Sequence, residues 1–323
     1  MNGLSKDYAT WHDVEAEAAG QRVDNYLTKR LKGVPKSHIY RILRSGEVRV
    51  NSRRVGPDYR VQAGDRLRLP PLRTARPPAA RQPPASRLKA DVIYEDEFLL
   101  VINKPSGVAV HGGSGISHGI DELLRLERPD ARFLELVHRL DRDTSGVLLL
   151  AKRRSALTAL HRQLREGAVQ KLYYVLVKGR WRDDKRSVKL PLHKYVLASG
   201  ERRVAVKGDG SPAHTVFRLQ RNWKGYSLLE AELKTGRTHQ IRVHLAHLGF
   251  PVAGDDKYGD FALNKELARQ GLKHMFLHAR KVVIAHPQSG ATLALEAPVP
   301  GELQSFLSVL DAGEARATAR GIQ

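Results

Sequence analysis

Asp141 closes the apolar-rich run in ELVHRLDRDTSGVLLLAK and enters a turn, a place from which a carboxylate can project into a cleft. There it could serve as a nucleophile, or as the electrostatic partner of a carbon that becomes cation-like. It could equally be a turn former ahead of a strand, the role given to Asp143, because Asp bonds readily to its own backbone. Arg139 carries a planar guanidinium that can stack like a base and pair with phosphates. Tyr173 ends the K-x-Y run Lys171-Leu172-Tyr173, and Tyr174 follows at once. A strand would turn these two rings to opposite faces. Arg237 lies in Thr-Gly-Arg-Thr-His-Gln, ahead of a helix that Thr238 could cap. An arginine at such a helix entry can pair with a buried carboxylate and keep it ionised. Leu277, in FLHA, fits a strand core.

Several other chemistries are excluded. His239, His244 and His247 match no HExxH spacing, and the chain has no cysteine to complete a thiolate site or a disulfide. HGGSG at 111–115 fails the G-x-S-x-G pattern because Ile116 stands where the last glycine should be. There is no Walker A sequence, which argues against nucleotide hydrolysis.

The elements that must position these groups form two modules. From Gln21, helical spacing of Val23, Tyr26, Leu27 and Leu31 predicts a helix. A second short helix follows Pro35, with Ser37 as its N-cap and Ile39, Ile42 and Leu43 as its apolar side. Two strand pieces then flank an Asn51-Ser52 turn, and VQAGDRLRLP supplies another strand. Residues 22–69 hold 13 Lys+Arg against 4 Asp+Glu. The next stretch, PPLRTARPPAARQPPASR, has six prolines and almost nothing that could form a core, so it reads as an extended basic linker. Beyond Asp91, strand patterns cover DVIYEDEFLLVINK, GVLLLAK, YYVLVKG, HTVFRLQ, YSLLEAELK, FLHARKVVIAH and TLALEAP, with helical patterns near 117–127, 155–166 and 239–248. Strands in adjacent runs favour a mixed or antiparallel sheet. The net charge of +21 on a chain that is 41% hydrophobic suits a folded protein with a polyanionic partner. No apolar run approaches membrane-spanning length, and the first residues lack the apolar core of a secretory signal, so a cytoplasmic protein is expected.

Five segments carry a resemblance. They are NKPSGVAVHGGSG (103–115), ELVHRLDRDTSGVLLLAK (135–152), QKLYYVLVKG (170–179), KTGRTHQIRVHLAHLG (234–249) and FLHA (276–279). In this order they resemble the RluA family of pseudouridine synthases, and the 22–69 module resembles an S4 RNA-binding domain. The likeness spans roughly residues 20–310. It implies an α+β protein: a small S4-like α/β domain (20–70) behind an N-terminal extension (1–19), a Pro/Arg-rich linker (71–89), a catalytic domain (90–312) whose mixed, largely antiparallel sheet is flanked by helices, and a C-terminal tail (313–323).

The resemblance implies isomerisation of uridine to pseudouridine in 23S ribosomal RNA, with no cofactor, metal or obligate protein partner. A monomer off the membrane is expected because the sequence offers neither an obvious large apolar interface nor a spanning apolar run. Asp141 becomes the catalytic carboxylate and Arg237 its ion-pair partner. Tyr173 becomes the ring packed on the target base and a candidate for handling the C5 proton. Arg139 becomes the side chain that enters the RNA stack when the uridine flips out, and Leu277 lines the uracil pocket. Lys36, Arg41, Arg44, Arg53 and Arg54 are expected to contact RNA phosphates. The alternatives are a non-catalytic ribosome-assembly protein, or the same chemistry on transfer RNA. The presence of Asp141, Tyr173 and Arg237 together favours the enzyme.

Overall fold

A computed structural model describes residues 5–31, 33–72, 90–111 and 119–321. Of the linker expected over 71–89, Leu72 is instead buried in the core of the first unit, and residues 73–89, like the Gly-Ser run at 112–115, lie outside the described residues. Two compact units are present, one within residues 1–85 and one within 86–323.

The first unit contains β1 (Thr10–Asp13), α1 (Val23–Arg30), α2 (Lys36–Arg44), β2 (Arg49–Val50), β3 (Arg53–Arg54) and β4 (Arg66–Leu69). Its sheet runs β1-β4-β2-β3, all antiparallel. Asn51 and Ser52 turn β2 into β3 with φ of 48° and 66°, the paired positive angles a two-residue hairpin requires. Val23, Leu27, Ile39, Ile42, Leu43, Val50 and Leu67 form one apolar core, so the helical spacings read from the sequence do face inward. Two expectations fail here. Ser37 is not the N-cap of α2; Pro35 takes that position, its ring fixing φ at −57°, and no side chain caps the helix. The expected polar extension is also partly structured, because β1 pairs with β4 along its whole length and Val14 enters the core.

The second unit contains β5 (Asp91–Glu95), β6 (Leu99–Lys104), α3 (Ile120–Glu127), β7 (Glu135–Leu136), β8 (Ser145–Ala151), α4 (Arg154–Glu166), β9 (Gln170–Lys178), β10 (Lys185–Val188), β11 (Leu192–Val196), β12 (Arg202–Val206), β13 (Thr215–Trp223), β14 (Tyr226–Leu233), α5 (Gln240–His247), α6 (Phe261–Arg269), β15 (Leu277–Ala285), β16 (Thr292–Glu296) and α7 (Gly301–Gly321). Its main sheet runs β10-β13-β14-β9-β15-β8-β6-β5, with β16 on β15 and β7 on β8. Among the described residues of this sheet only β15 and β8 pair in parallel, so the sheet is mixed and largely antiparallel, as expected. A separate hairpin, β11–β12, stands off it. The expected tail from residue 313 is instead the continuation of α7 to Gly321, where Leu303 and Phe306 anchor the helix against Trp223 and Leu176.

The central strand explains why GVLLLAK is apolar without alternation. Leu148 and Leu150 enter one core with Tyr173, Val175 and Leu277, while Val147, Leu149 and Ala151 enter another with Leu160 and Val282. A strand buried on both faces has no polar side to show. At its start, Gly146 (φ +110°) passes so close to β15 that a Cβ would meet the Ala279 carbonyl oxygen at 2.2 Å. Both partners are backbone and cannot move independently. Gly146→Ala is therefore expected to lower stability by about 2–4 kcal/mol. An unfolding free energy from urea titration within about 0.5 kcal/mol of the parent's at unchanged m-value would show that the strands can separate freely here. Among the described residues, no helix is long and apolar enough to cross a membrane.

Candidate active site

Asp141 sits in the loop between β7 and β8, just after buried Leu140. The loop is held from beneath. Lys104, fully buried at the end of β6, donates from Nζ to the carbonyls of Pro105 (2.8 Å), Val108 (2.7 Å) and Arg142 (2.8 Å). Three acceptors match the three N–H donors of an ammonium. Burial pushes this group down to about 7, opposed by the charges of Asp143 and Asp141. Ser106 Oγ adds a bond to the Asp143 carbonyl at 2.6 Å. The NKPSG segment thus clamps the loop that carries Asp141. On the other side, Leu149 N donates to His138 Nε2 at 3.2 Å. Burial and nearby Lys171 push that imidazole down to about 4, so it is neutral and can accept.

The partner of Asp141 is not Arg237. Arg242 Nη1 donates to Asp141 Oδ2 at 3.0 Å. Arg237 is mostly exposed, and its Nε donates to the Pro212 carbonyl at 3.0 Å. The reason lies in the helix entry. Thr238 does not cap α5. His239 takes the N-cap position in the left-handed region at φ 54°, and Gln240 organises the turn with its side chain. Gln240 Oε1 accepts from Arg237 N (3.0 Å) and Thr235 Oγ1 (2.8 Å), while Nε2 donates to the His214 carbonyl and Thr215 Oγ1. This tight turn leaves Arg237 at the rim and sends Arg242, in the first turns of α5, inward.

Arg242 is a buried cation between two carboxylates. Its Nε and Nη2 form a fork with Asp255 at 2.7 and 2.6 Å, which leaves Nη1 for Asp141. Burial disfavours the Arg242 charge, but the bonds to Asp255 and the Asp255 and Asp141 charges more than offset that and raise it. Burial likewise opposes the Asp255 carboxylate. Arg242 and the amides of Tyr258 and Lys257 nevertheless hold it below the usual carboxylate range. The guanidinium also lies 5.2 Å from the centroid of the Tyr258 ring.

His239 Nε2 is 3.8 Å from Asp141 Oδ2. Tyr258 Oη accepts from Val204 N (2.9 Å) and shares a hydrogen bond with His239 Nδ1 (2.8 Å), which fixes the plane of the imidazole and points Nε2 toward Asp141. Burial lowers this imidazole, with Arg242 and Lys257 adding to the shift and Asp141 opposing it.

Asp141 opens onto a cavity of about 630 Å³, lined also by Arg139, Lys171, Tyr173, Arg237 and Leu277. Tyr173 is buried in this wall. Burial and the Asp141 charge raise its phenol, so the ring is neutral. Tyr174 takes the other face of β9, under the Arg280 guanidinium at 4.9 Å. Arg139 is exposed at the cavity. The structure thus gathers Asp141, Tyr173, Arg237, Arg139 and Leu277 around one space. Arg242, Asp255, Tyr258 and Lys104 were not singled out from sequence, and His239 was weighed there only as a metal ligand. The signal for Arg242 was the second arginine of RTHQIR, and for its partners the Asp and Tyr of GDDKYGD. In the first unit, Lys36, Arg41, Arg44, Arg53 and Arg54 are all exposed.

A cavity of this size with one fixed carboxylate, an apolar and aromatic wall and a basic rim can admit a flipped-out nucleotide whose sugar meets the carboxylate. Residues 98–247 match the family model for RNA pseudouridylate synthase, and residues 21–67 match the S4 domain. The chain is 52% identical over 301 residues to ribosomal large subunit pseudouridine synthase C of Pasteurella multocida, covering 92% of each chain. It is 52% identical over 303 residues to the protein of that name from Escherichia coli K12, covering 92% of this chain and 95% of that one. Among solved structures, human RNA pseudouridylate synthase domain containing 4 aligns with a TM-score of 0.56 at 25% identity, over 68% of this chain and 92% of that one. From the sequence match, the shared fold and the site together, this chain belongs to the RNA pseudouridylate synthase family and carries an S4 domain ahead of its catalytic region.

Proposed function

We propose that this protein isomerises specific uridines of 23S, large-subunit ribosomal RNA to pseudouridine, with Asp141 as the catalytic carboxylate. The observation that carries the reading is the Asp141 carboxylate fixed by buried Arg242 in the wall of a cavity roomy enough for a nucleotide, lined also by Tyr173 and Leu277. The reaction breaks the N1–C1′ bond of uridine, turns the base and joins C5 to C1′. The C5 proton leaves and N1 gains one, so nothing is added or lost overall and no redox partner or cofactor is required. The sugar carbon is electron-poor while the base is detached, and Asp141 supplies the negative charge or the nucleophile at that stage.

Tyr173 packs as a neutral phenol on the uracil, and Leu277 closes the far wall. Arg139 fills the gap left by the flipped base. Arg237, at the rim, meets phosphate rather than Asp141. His239 and Arg242 orient the carboxylate. In the first unit, Lys36, Arg41, Arg44, Arg53 and Arg54 dock RNA without reading its sequence. The protein works in this reading as a cytoplasmic monomer.

Purified protein incubated with an unmodified large-subunit RNA transcript is expected to form pseudouridine at a small, reproducible set of uridines, read by chemical labelling and primer extension. No pseudouridine in that transcript, with modification of transfer RNA instead, would move the substrate assignment.

A further inference from the structure

The sheet of the first unit has two chemically different faces. Its register places Trp11 opposite Arg68, Arg68 opposite Arg49, and Arg49 opposite Arg54. Residues directly opposite in an antiparallel ladder share a face, so these four side chains form one row across all four strands. Asp13 and Arg66, an opposing pair two positions along, belong to that face as well. The alternating row, His12, Leu67 and Val50, is buried toward the core. The outer face therefore presents four arginines, one tryptophan and one carboxylate. Arg53, opposite buried Val50, falls on the other side.

The outer row is partly fixed in place. The Arg66 guanidinium lies 5.0 Å from the Trp11 ring centroid, a cation–π contact that holds the indole. Arg68 Nη1 donates to the Glu47 carbonyl at 3.1 Å. Arg54 lies across Gly46, where a Cβ would come within 2.3 Å of its Nε. Trp11 is nonetheless 44% exposed, although a large aromatic ring gains by burial. An exposed ring held among arginines suits a stacked base between phosphates. Every base offers a π-face, and each guanidinium can meet a phosphate. A duplex cannot use such a ring, because its bases are already stacked on each other.

We propose that this face binds an unpaired stretch of RNA, with one base stacked on Trp11 and the neighbouring phosphates held by Arg66, Arg68 and Arg49. The site lies outside the catalytic cavity, and Trp11 lies outside the S4 match, which begins at residue 21. The inference rests on RNA being the substrate.

The chain reports on this site by itself. Its other two tryptophans, Trp181 and Trp223, are 1% and 4% exposed and lie in the second unit. Full-length protein is titrated with a single-stranded oligouridylate and with an RNA duplex of equal length, following tryptophan emission and, in parallel, the anisotropy of labelled RNA. The single strand is expected to quench the emission, and the quenching is lost in Trp11→Phe. Trp11→Phe keeps a ring and should bind within about twofold of the parent, whereas Trp11→Ala should bind about tenfold more weakly. Unchanged quenching in Trp11→Phe, full affinity in a folded Trp11→Ala, or equal quenching by the duplex overturns the proposal. So does an emission change that follows protein concentration without RNA, which would make the face a contact between two copies. If those results appear while the parent still forms pseudouridine, only the stacking site fails. If the parent forms none on any RNA, the functional reading fails first.

Discussion

Asp141→Asn is expected to form pseudouridine more slowly by a factor on the order of 10⁴ or more, while binding the same RNA nearly as well. The amide has almost the carboxylate's shape, and its oxygen can still accept from Arg242 Nη1. What it lacks is the negative charge that the proposed reaction sets against the electron-poor sugar carbon. The fold should tolerate the change. The Asp141 side chain is 20% exposed, and Arg242 keeps both bonds to Asp255, so no buried cation is stranded. A thermal melt close to the parent's, with normal RNA affinity, separates lost chemistry from lost structure. Pseudouridine formation near the parent rate would mean that another group performs the step.

Arg242→Met is expected to be the second most damaging change, and for two reasons that can be measured apart. It removes the partner of Asp141. It also leaves Asp255, fully buried, with only backbone amides for its charge, at a cost of about 3–5 kcal/mol. Adding Asp255→Leu removes the stranded carboxylate and should restore much of the stability without restoring pseudouridine formation. Arg242→Lys keeps the charge but cannot supply Nε and Nη2 to one carboxylate and Nη1 to another, so it should remain well below the parent in activity. Arg237→Ala is the contrasting control. Its observed bond is to one backbone carbonyl at the surface, so its melt should shift little. Equal activity in Arg242→Met and the parent would show that Asp141 needs no cationic partner.

The two arginines illustrate what the sequence conveys and where it stops. Both stand in KTGRTHQIRVH, and a carboxylate partner at this helix was legible from residue type alone. Which one turns inward depends on the left-handed φ of His239 and on the Gln240 side chain, whose partners at Thr235, His214 and Thr215 come from the segment after β14, the segment before β13, and β13 itself. Such a turn is set by tertiary contacts rather than local propensity. Apolar strands were legible for a simpler reason: β8 and β9 are buried, and burial demands apolar runs. The β11–β12 hairpin, with sequences LHKYV and RRVAV, carries charges along both strands and offered no such pattern. β1 was missed because only His12 and its neighbour Val14 turn inward from a short polar stretch. α6 and α7 were missed because each buries only a few apolar residues on an otherwise polar surface.

The central claim is that Asp141, held by Arg242, makes pseudouridine in large-subunit ribosomal RNA. Its most direct test is to map pseudouridines in that RNA from cells lacking the protein and supplied with either the parent or Asp141→Asn at equal levels. The account predicts that a defined set of pseudouridines disappears on deletion, returns with the parent and stays absent with Asp141→Asn. Return of the full set with Asp141→Asn, or an unchanged map on deletion, would contradict it.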